Sequence, residues 1–392
     1  MPFHFLKRNF LSPFRELLHD SRAIGILILV TSAISLVLAN SVFANGYITF
    51  WLTEIHLTDT LPHSLQHWIN DGLMSVFFFL AGLEIKRELT QGELASFKKS
   101  VLPVAGALGG MLFPAMIFLM LNNGTDFSKG WGIPMATDIA FSLGVASLMG
   151  SRAPVALKIF LTALAIIDDL GAIIAIAFFY TGSINFYCLA GGILIWIFLI
   201  FANRLKLTFT FINYIAGIAL WLLIFNSGVH ATVAGVLFAF TIPSKIISKL
   251  EHQLHNPVQF FIIPLFVLAN TAIALPTGFM NHLAGQLSLG ILAGLLIGKP
   301  LGIISFCYAA VKFKFGELPL GVTWKHMIGL GLLAAIGFTM SIFIAMLAFD
   351  DPILQDQSKT AVIAASLLAI IFSWIWFKFL PKSRQELSEN KE

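Results

Sequence analysis

Apolar runs about as long as a bilayer is thick recur from one end of this chain to the other, and nothing else in it constrains the fold as much. A helix needs roughly 20 apolar residues to cross a ~30 Å hydrocarbon core. Runs of that kind predict spans at 23–42, 66–84, 101–121, 131–149, 155–180, 186–202, 210–225, 228–242, 257–275, 285–310, 325–349 and 359–380. The expected fold is therefore an all-α membrane protein, a single multi-pass domain over 1–392 with twelve transmembrane helices and short loops. Composition agrees, since only 11% of the residues are charged, against roughly 25% in a soluble chain.

Charge tests the count independently, because Lys and Arg favour the cytoplasmic ends of short loops. With the N-terminus inside, 21 of the 24 basic residues fall on inner segments, from Lys7 and Arg8 to Arg384 and Lys391. Two, Lys129 and Lys359, fall on outer loops. One miscounted span would break this alternation beyond it. Both termini are thus expected inside, and the net charge of +4 reports orientation, not nucleic-acid binding.

No cleavable signal is expected before the first span. "SPFRELLHD" instead predicts a short amphipathic helix on the inner surface within residues 1–22, with Ser12 as cap and Pro13 in the first turn. Residues 381–392 read as a polar inner tail, and Cys188 and Cys307 lie within spans, which implies no disulfide framework.

One basic residue remains, Lys299 in "LLIGKPLGII", near the middle of its span. Asp138, Asp168 and Asp169 are similarly deep, while Asp71 and Glu84 lie near opposite ends of theirs. A charge at the bilayer centre costs about 2.5–3.5 kcal/mol on insertion scales. Three acids and one lysine must therefore meet each other or water. In "LAIIDDLGAI", adjacency gives the two aspartates different jobs, because helical neighbours point about 100° apart. One can face a water-filled cleft while the other faces a neighbouring helix. Carboxylates are hard oxygen ligands, suited to small hard cations and to protons. Burial raises an Asp pKa and a nearby ammonium lowers it, an opposition that suits proton-for-cation exchange.

Two spans read as broken. "WGIPMATDIAFSLG" places Pro134 four residues before Asp138, with Thr137 between, and "GLLAAIGFTMSIF" carries Gly337, Thr339 and Ser341. Such breaks survive in lipid only where protein or water satisfies the freed backbone. Facing half-helix N-termini want a carboxylate and facing C-termini want a cation, roles open to Asp138 and Lys299. The broken spans are the fourth and eleventh. Spans 3–5 and 10–12 would then form an inverted repeat with discontinuous middle helices, which is the signature of a secondary transporter.

The motifs "WINDGLMSVFFFLAGLEIKREL", "MATDIAFSLG", "SRAPVALKIFLTALAIIDDLGAI", "SGVHATVAGV", "IIPLFVLAN", "LIGKPLGI" and "IGFTMSIFIA", in this order, resemble the NhaA family of sodium–proton antiporters along nearly the whole chain. That family is also a named example among inverted-repeat transporters. The resemblance implies an inner-membrane carrier that exports Na⁺ or Li⁺ for more than one proton, with no cofactor. By position, Asp168 and Asp169 match its ion-binding pair, with Thr137 and Asp138 beside them. Lys299 matches the lysine that pairs with Asp168 or stabilises the facing helix ends. Glu84, Arg87, Glu88, Glu251, His252 and His255 match a cytoplasmic funnel tied to pH response, and His230 and Gly337 match positions where the pH profile is sensitive.

Between the first two spans the family carries a β-hairpin that joins two protomers. Here "GYITFWLTEIHLTDTLPHSLQH" has Pro62 and no Asn-Gly or Asp-Gly turn, so at most a short strand pair is expected and the homodimer stays open. His56, His63 and His67 in that stretch read as outer-surface histidines rather than as a metal cluster. A passive cation channel is the alternative function. It would also want midplane carboxylates, but it explains neither the paired breaks nor the lysine.

Overall fold

The computed structural model describes residues 21–55, 58, 60–205, 209–275 and 282–381. The surface helix expected from Ser12 and the tail beyond Pro381 lie outside the described residues. Among the described residues, seven helices are long and apolar enough to cross a membrane. They are α1 (Ser21–Ala39), α3 (Leu65–Gln91), α4 (Phe97–Asn122), α6 (Val155–Phe179), α7 (Phe186–Arg204), α12 (Gln286–Lys312) and α15 (Pro352–Lys378). Two bent pairs raise the number to nine. One joins the 3-10 segment Asp126–Met135 to α5 (Ile139–Leu148) at 46°, and the other joins α13 (Trp324–Ala334) to α14 (Phe338–Ala348) at 47°. Two shorter apolar helices, α8 (Phe211–Phe225) and α9 (Thr232–Thr241), and the run α10 (Ser244–Pro257) to α11 (Ile263–Asn270) complete the set, with the short α2 (Ala44–Trp51) after α1. The fold is thus helical and multi-pass, with breaks in the two places where the sequence carries Pro134 and Gly337.

Some boundaries move. α15 begins at Pro352, seven residues before the expected start, because the Asp351 side chain accepts the Ile353 N–H at 2.9 Å and proline suits a first turn. Lys359 consequently sits inside a helix, buried and 3.2 Å from Asp356 Oδ1, and not in an outer loop. α3 runs on to Gln91, so Glu84, Arg87 and Glu88 ride on a helix. Pro257 is the last residue of α10, and the π turn Val258–Ile262 carries the chain on into α11. Where a strand pair was expected, α2 forms, followed by one isolated bridge between Glu54 and Ser64.

α4 and α12 cross backbone to backbone. A Cβ on Gly109 would stand 2.1 Å from Gly302 O, and one on Gly302 would stand 2.0 Å from Gly109 O. Small residues allow this approach where no hydrophobic force drives helices together in lipid. The crossing brings Lys299, just past the π turn Gly294–Gly298, against the broken fourth span.

Candidate functional site

The two breaks meet and satisfy each other. Asp138 N–H donates to Ile336 O at 2.8 Å. Thr137 Oγ1 reaches Ala334 O at 3.0 Å, Ser142 Oγ donates to Leu333 O at 3.0 Å, and Ser341 Oγ donates to Ile133 O at 2.7 Å. Carbonyls freed where each helix stops are thus taken up by hydroxyls of the other, as buried backbone requires.

Asp138 caps both half-helix starts. Its Oδ1 accepts Phe141 N–H at 2.9 Å, and its Oδ2 accepts Thr339 N–H at 3.1 Å and the Thr339 hydroxyl at 2.5 Å. One negative charge faces two positive dipole ends. At the opposite end, the Lys299 ammonium donates to Met135 O, the last carbonyl of the 3-10 half. Asp138 thus contacts the two half-helix starts and Lys299 a half-helix end. Thr339, visible in the sequence only as part of the break, turns out to hold Asp138 with two donors. Gly337 opens α14 at φ −91°, so its lack of a side chain is about space. A Cβ there would meet Ser341 Oγ at 2.2 Å and Ala136 O at 3.0 Å.

α6 brings the adjacent aspartates to this junction, and they point apart as the helical phase demands. Asp168 is fully buried; its Oδ2 accepts the Lys299 ammonium and the Thr137 hydroxyl, both at 2.6 Å. Asp169 is 3% exposed, and its Oδ1 has no hydrogen-bond partner among the described residues. It lines a cavity of about 210 Å³ together with Asp138, Thr339, Glu84, Arg87 and Gln259. A buried carboxylate oxygen without a donor, at the edge of a small cavity with a mostly apolar wall and a few polar groups, is chemically fit for a small hard cation or for a proton.

The remaining candidates divide between two places. Glu84, Arg87 and His255 line the same cavity as Asp169. Arg87 Nε sits 2.9 Å from Glu251 Oε2, and its guanidinium also lies 2.9 Å from Glu88 Oε1. The Glu88 carboxylate in turn accepts Glu93 N–H at 3.0 Å. Burial pushes the Glu251 carboxyl above its ordinary value, against the pull of Arg87. His252 is exposed on α10 and does not line that cavity. His230 is elsewhere: its Nδ1 lies 3.2 Å from Asp71 Oδ1, while His67 Nε2 lies 2.8 Å from Asp71 Oδ2. His67 is therefore tied to a buried acid, and not simply a surface histidine; the His63 ring meets it edge-on with centroids 6.2 Å apart, and His56 lies outside the described residues. Among the described residues no group of three or more His, Cys, Asp or Glu is arranged to hold a metal ion, and Cys188 and Cys307 form no disulfide.

Comparison with known proteins agrees with this architecture. The model of the family described as Na⁺/H⁺ antiporter 1 matches residues 15–377. The chain is 48% identical over 374 residues to Na⁺/H⁺ antiporter NhaA 1 of Flavobacterium johnsoniae, covering 94% of this chain and 97% of that one. It is 44% identical over 384 residues to Na⁺/H⁺ antiporter NhaA of Cytophaga hutchinsonii, covering 96% and 98%. Against Na⁺/H⁺ antiporter NhaA 2 of Clostridium beijerinckii the identity is 42% over 396 residues, covering 98% of each.

Proposed function

The chain belongs to the Na⁺/H⁺ antiporter 1 family, and from that membership we propose that it exports Na⁺ or Li⁺ in electrogenic exchange for more than one proton per cation. Antiport is a property of the relatives' names; the mechanism is our reading of this chain. Asp169 is the cation ligand, and Asp168 carries a proton in exchange with its Lys299 ion pair. Thr137 and Asp138 complete the ion site, Asp138 chiefly by holding the two half-helix starts in register. Alternating access then moves this junction between the two membrane faces. Spans 3–5 and 10–12 act as inverted repeats within a twelve-helix carrier of the inner membrane, both termini in the cytoplasm. Membrane lipid surrounds the helices, and whether two copies pair stays open because the stretch after the first span departs from the family's hairpin.

The observation that carries this reading is the asymmetry of the pair. Among the described residues each carboxylate leaves its Oδ1 without a donor, but Asp168 Oδ2 is engaged by Lys299 and Thr137, whereas it is Asp169 that borders the cavity. Glu84, Arg87, Glu88, Glu251, His252 and His255 tune pH response at the cytoplasmic mouth, His230 tunes it beside Asp71, and Gly337 does so at the second break. The test is reconstitution into liposomes with an imposed pH gradient, reading lumenal pH as Na⁺, Li⁺ or K⁺ is added. Proton efflux coupled to Na⁺ and Li⁺, and sensitive to membrane potential, is the expected result. Cation entry without proton movement would instead mark a passive channel.

A further inference from the structure

We propose that Gln259 is a further cation ligand, a neutral oxygen that takes over part of the ion's hydration shell on its way to Asp169. This rests on the antiport reading above and adds a residue to its path. Gln259 stands in the π turn Val258–Ile262, and its side chain joins His255 and Ile263 on the wall of the cavity that Asp169 borders. The turn follows Pro257 directly. π turns insert an extra residue into a helix and re-aim the side chains around them, often at functional sites.

The amide itself supplies the second observation. Gln259 Oε1 is buried and has no hydrogen-bond partner among the described residues, as is true of Asp169 Oδ1, and both residues line the same cavity. Buried polar atoms are overwhelmingly paired, and leaving one unpaired forfeits its hydration with nothing in return. The neighbouring wall is apolar, with Ile24, Phe77 and Leu80, so a hydrocarbon side chain would fit there at no such cost. An amide is favourable in this place when something arrives to use its oxygen. The terminal torsion of Gln is broad, so the carbonyl can swing between the wall and the cavity.

Chemistry distinguishes this oxygen from the carboxylates around it. Carbonyl oxygens replace the water around an alkali cation without carrying charge. A neutral donor lowers the cost of dehydrating the ion and offers no competing site for a proton. Gln259 therefore contributes to cation affinity and leaves the proton count of the exchange unchanged.

The experiment uses the purified full chain in detergent, with Na⁺ and Li⁺ titrated against melting temperature, because a bound ligand stabilises in proportion to its affinity. Gln259→Leu should melt no lower than the parent without alkali cation, since it removes a buried unpaired polar atom. Its apparent Na⁺ constant should nevertheless rise about tenfold, the factor that ~1.4 kcal/mol of lost contact corresponds to. Gln259→Asn, which keeps the carbonyl, should fall between. Proton flux in liposomes at saturating Na⁺ should keep the parent's pH profile. Unchanged Na⁺ and Li⁺ constants in Gln259→Leu would overturn the proposal and leave antiport standing on the parent's flux. Absence of Na⁺-driven flux in the parent would overturn antiport, while the binding constants would still decide whether Gln259 holds a cation.

Discussion

Lys299 Nζ lies 2.6 Å from Asp168 Oδ2, and neither side chain has any exposed surface. A buried pair of this kind is weak evidence for stability in itself, because desolvating two charges offsets most of their attraction. Its meaning lies in what each partner also touches. Lys299 holds the carbonyl end of one half-helix at Met135, and Asp168 holds Thr137 at the same break. In the proposed exchange, loading or unloading a proton on this pair would act directly on the broken span.

Removing the lysine alone leaves Asp168 and the Met135 carbonyl uncompensated. Lys299→Ala is expected to cost roughly 3–5 kcal/mol, the range for breaking one side of a buried pair. Melting temperature in detergent should fall clearly, and Lys299→Arg should recover part of it. A melting temperature unchanged by alanine would mean that the pair adds nothing to the fold.

Asp169→Asn preserves shape and removes the charge that faces the cavity. Cation-driven proton movement in liposomes should vanish while the protein still inserts. Asp168→Asn should be severely impaired; retained electroneutral exchange would identify it as a proton carrier and not a metal ligand. Substantial exchange by Asp169→Asn would remove that residue from the ion site.

Two ions that share one set of carboxylates must compete. Below the site's pKa the apparent Na⁺ constant should weaken about tenfold per pH unit for each proton that has to leave. Above it the constant should level off, with a maximal rate that depends much less on pH. Apparent Na⁺ constants at several pH values, without membrane potential, decide the matter. A flat constant with a steeply rising maximal rate would point to a separate pH-driven switch.

Glu251 makes a prediction about stability, and its sign follows from burial outweighing Arg87. Its folded-state carboxyl holds a proton at higher pH than the ordinary value of 4.5. The folded protein then binds more protons at this site than the unfolded chain, so stability contributed there is present below 4.5 and is lost as pH rises through the raised value. Glu251→Gln removes the titration. Across that window the parent should lose melting temperature relative to the variant. Parallel curves would show that Arg87 compensates the burial fully.

Much of this architecture was legible in the letters alone. Hydrocarbon length selects helices, and a lone lysine among three deep acids must find partners. Pro134 and Gly337 mark the breaks because one lacks an N–H and the other a side chain. These are local or one-dimensional signals. Partner choice is neither: Asp138 meets Thr339 across 201 positions, and Asn70 meets Asn270 across 200. Helical phase says that Asp168 and Asp169 diverge, yet only the packing of α12 and the 3-10 segment decides that Lys299 takes the first and leaves the second facing a cavity. Lys359 shows the limit of counting charges, since its pairing with Asp356 one turn earlier lets it enter a helix that the hydropathy pattern starts later. Hydropathy reads how deep a residue lies; the direction in which its side chain points is fixed by contacts far away in the chain, and those exist only once the helices have packed.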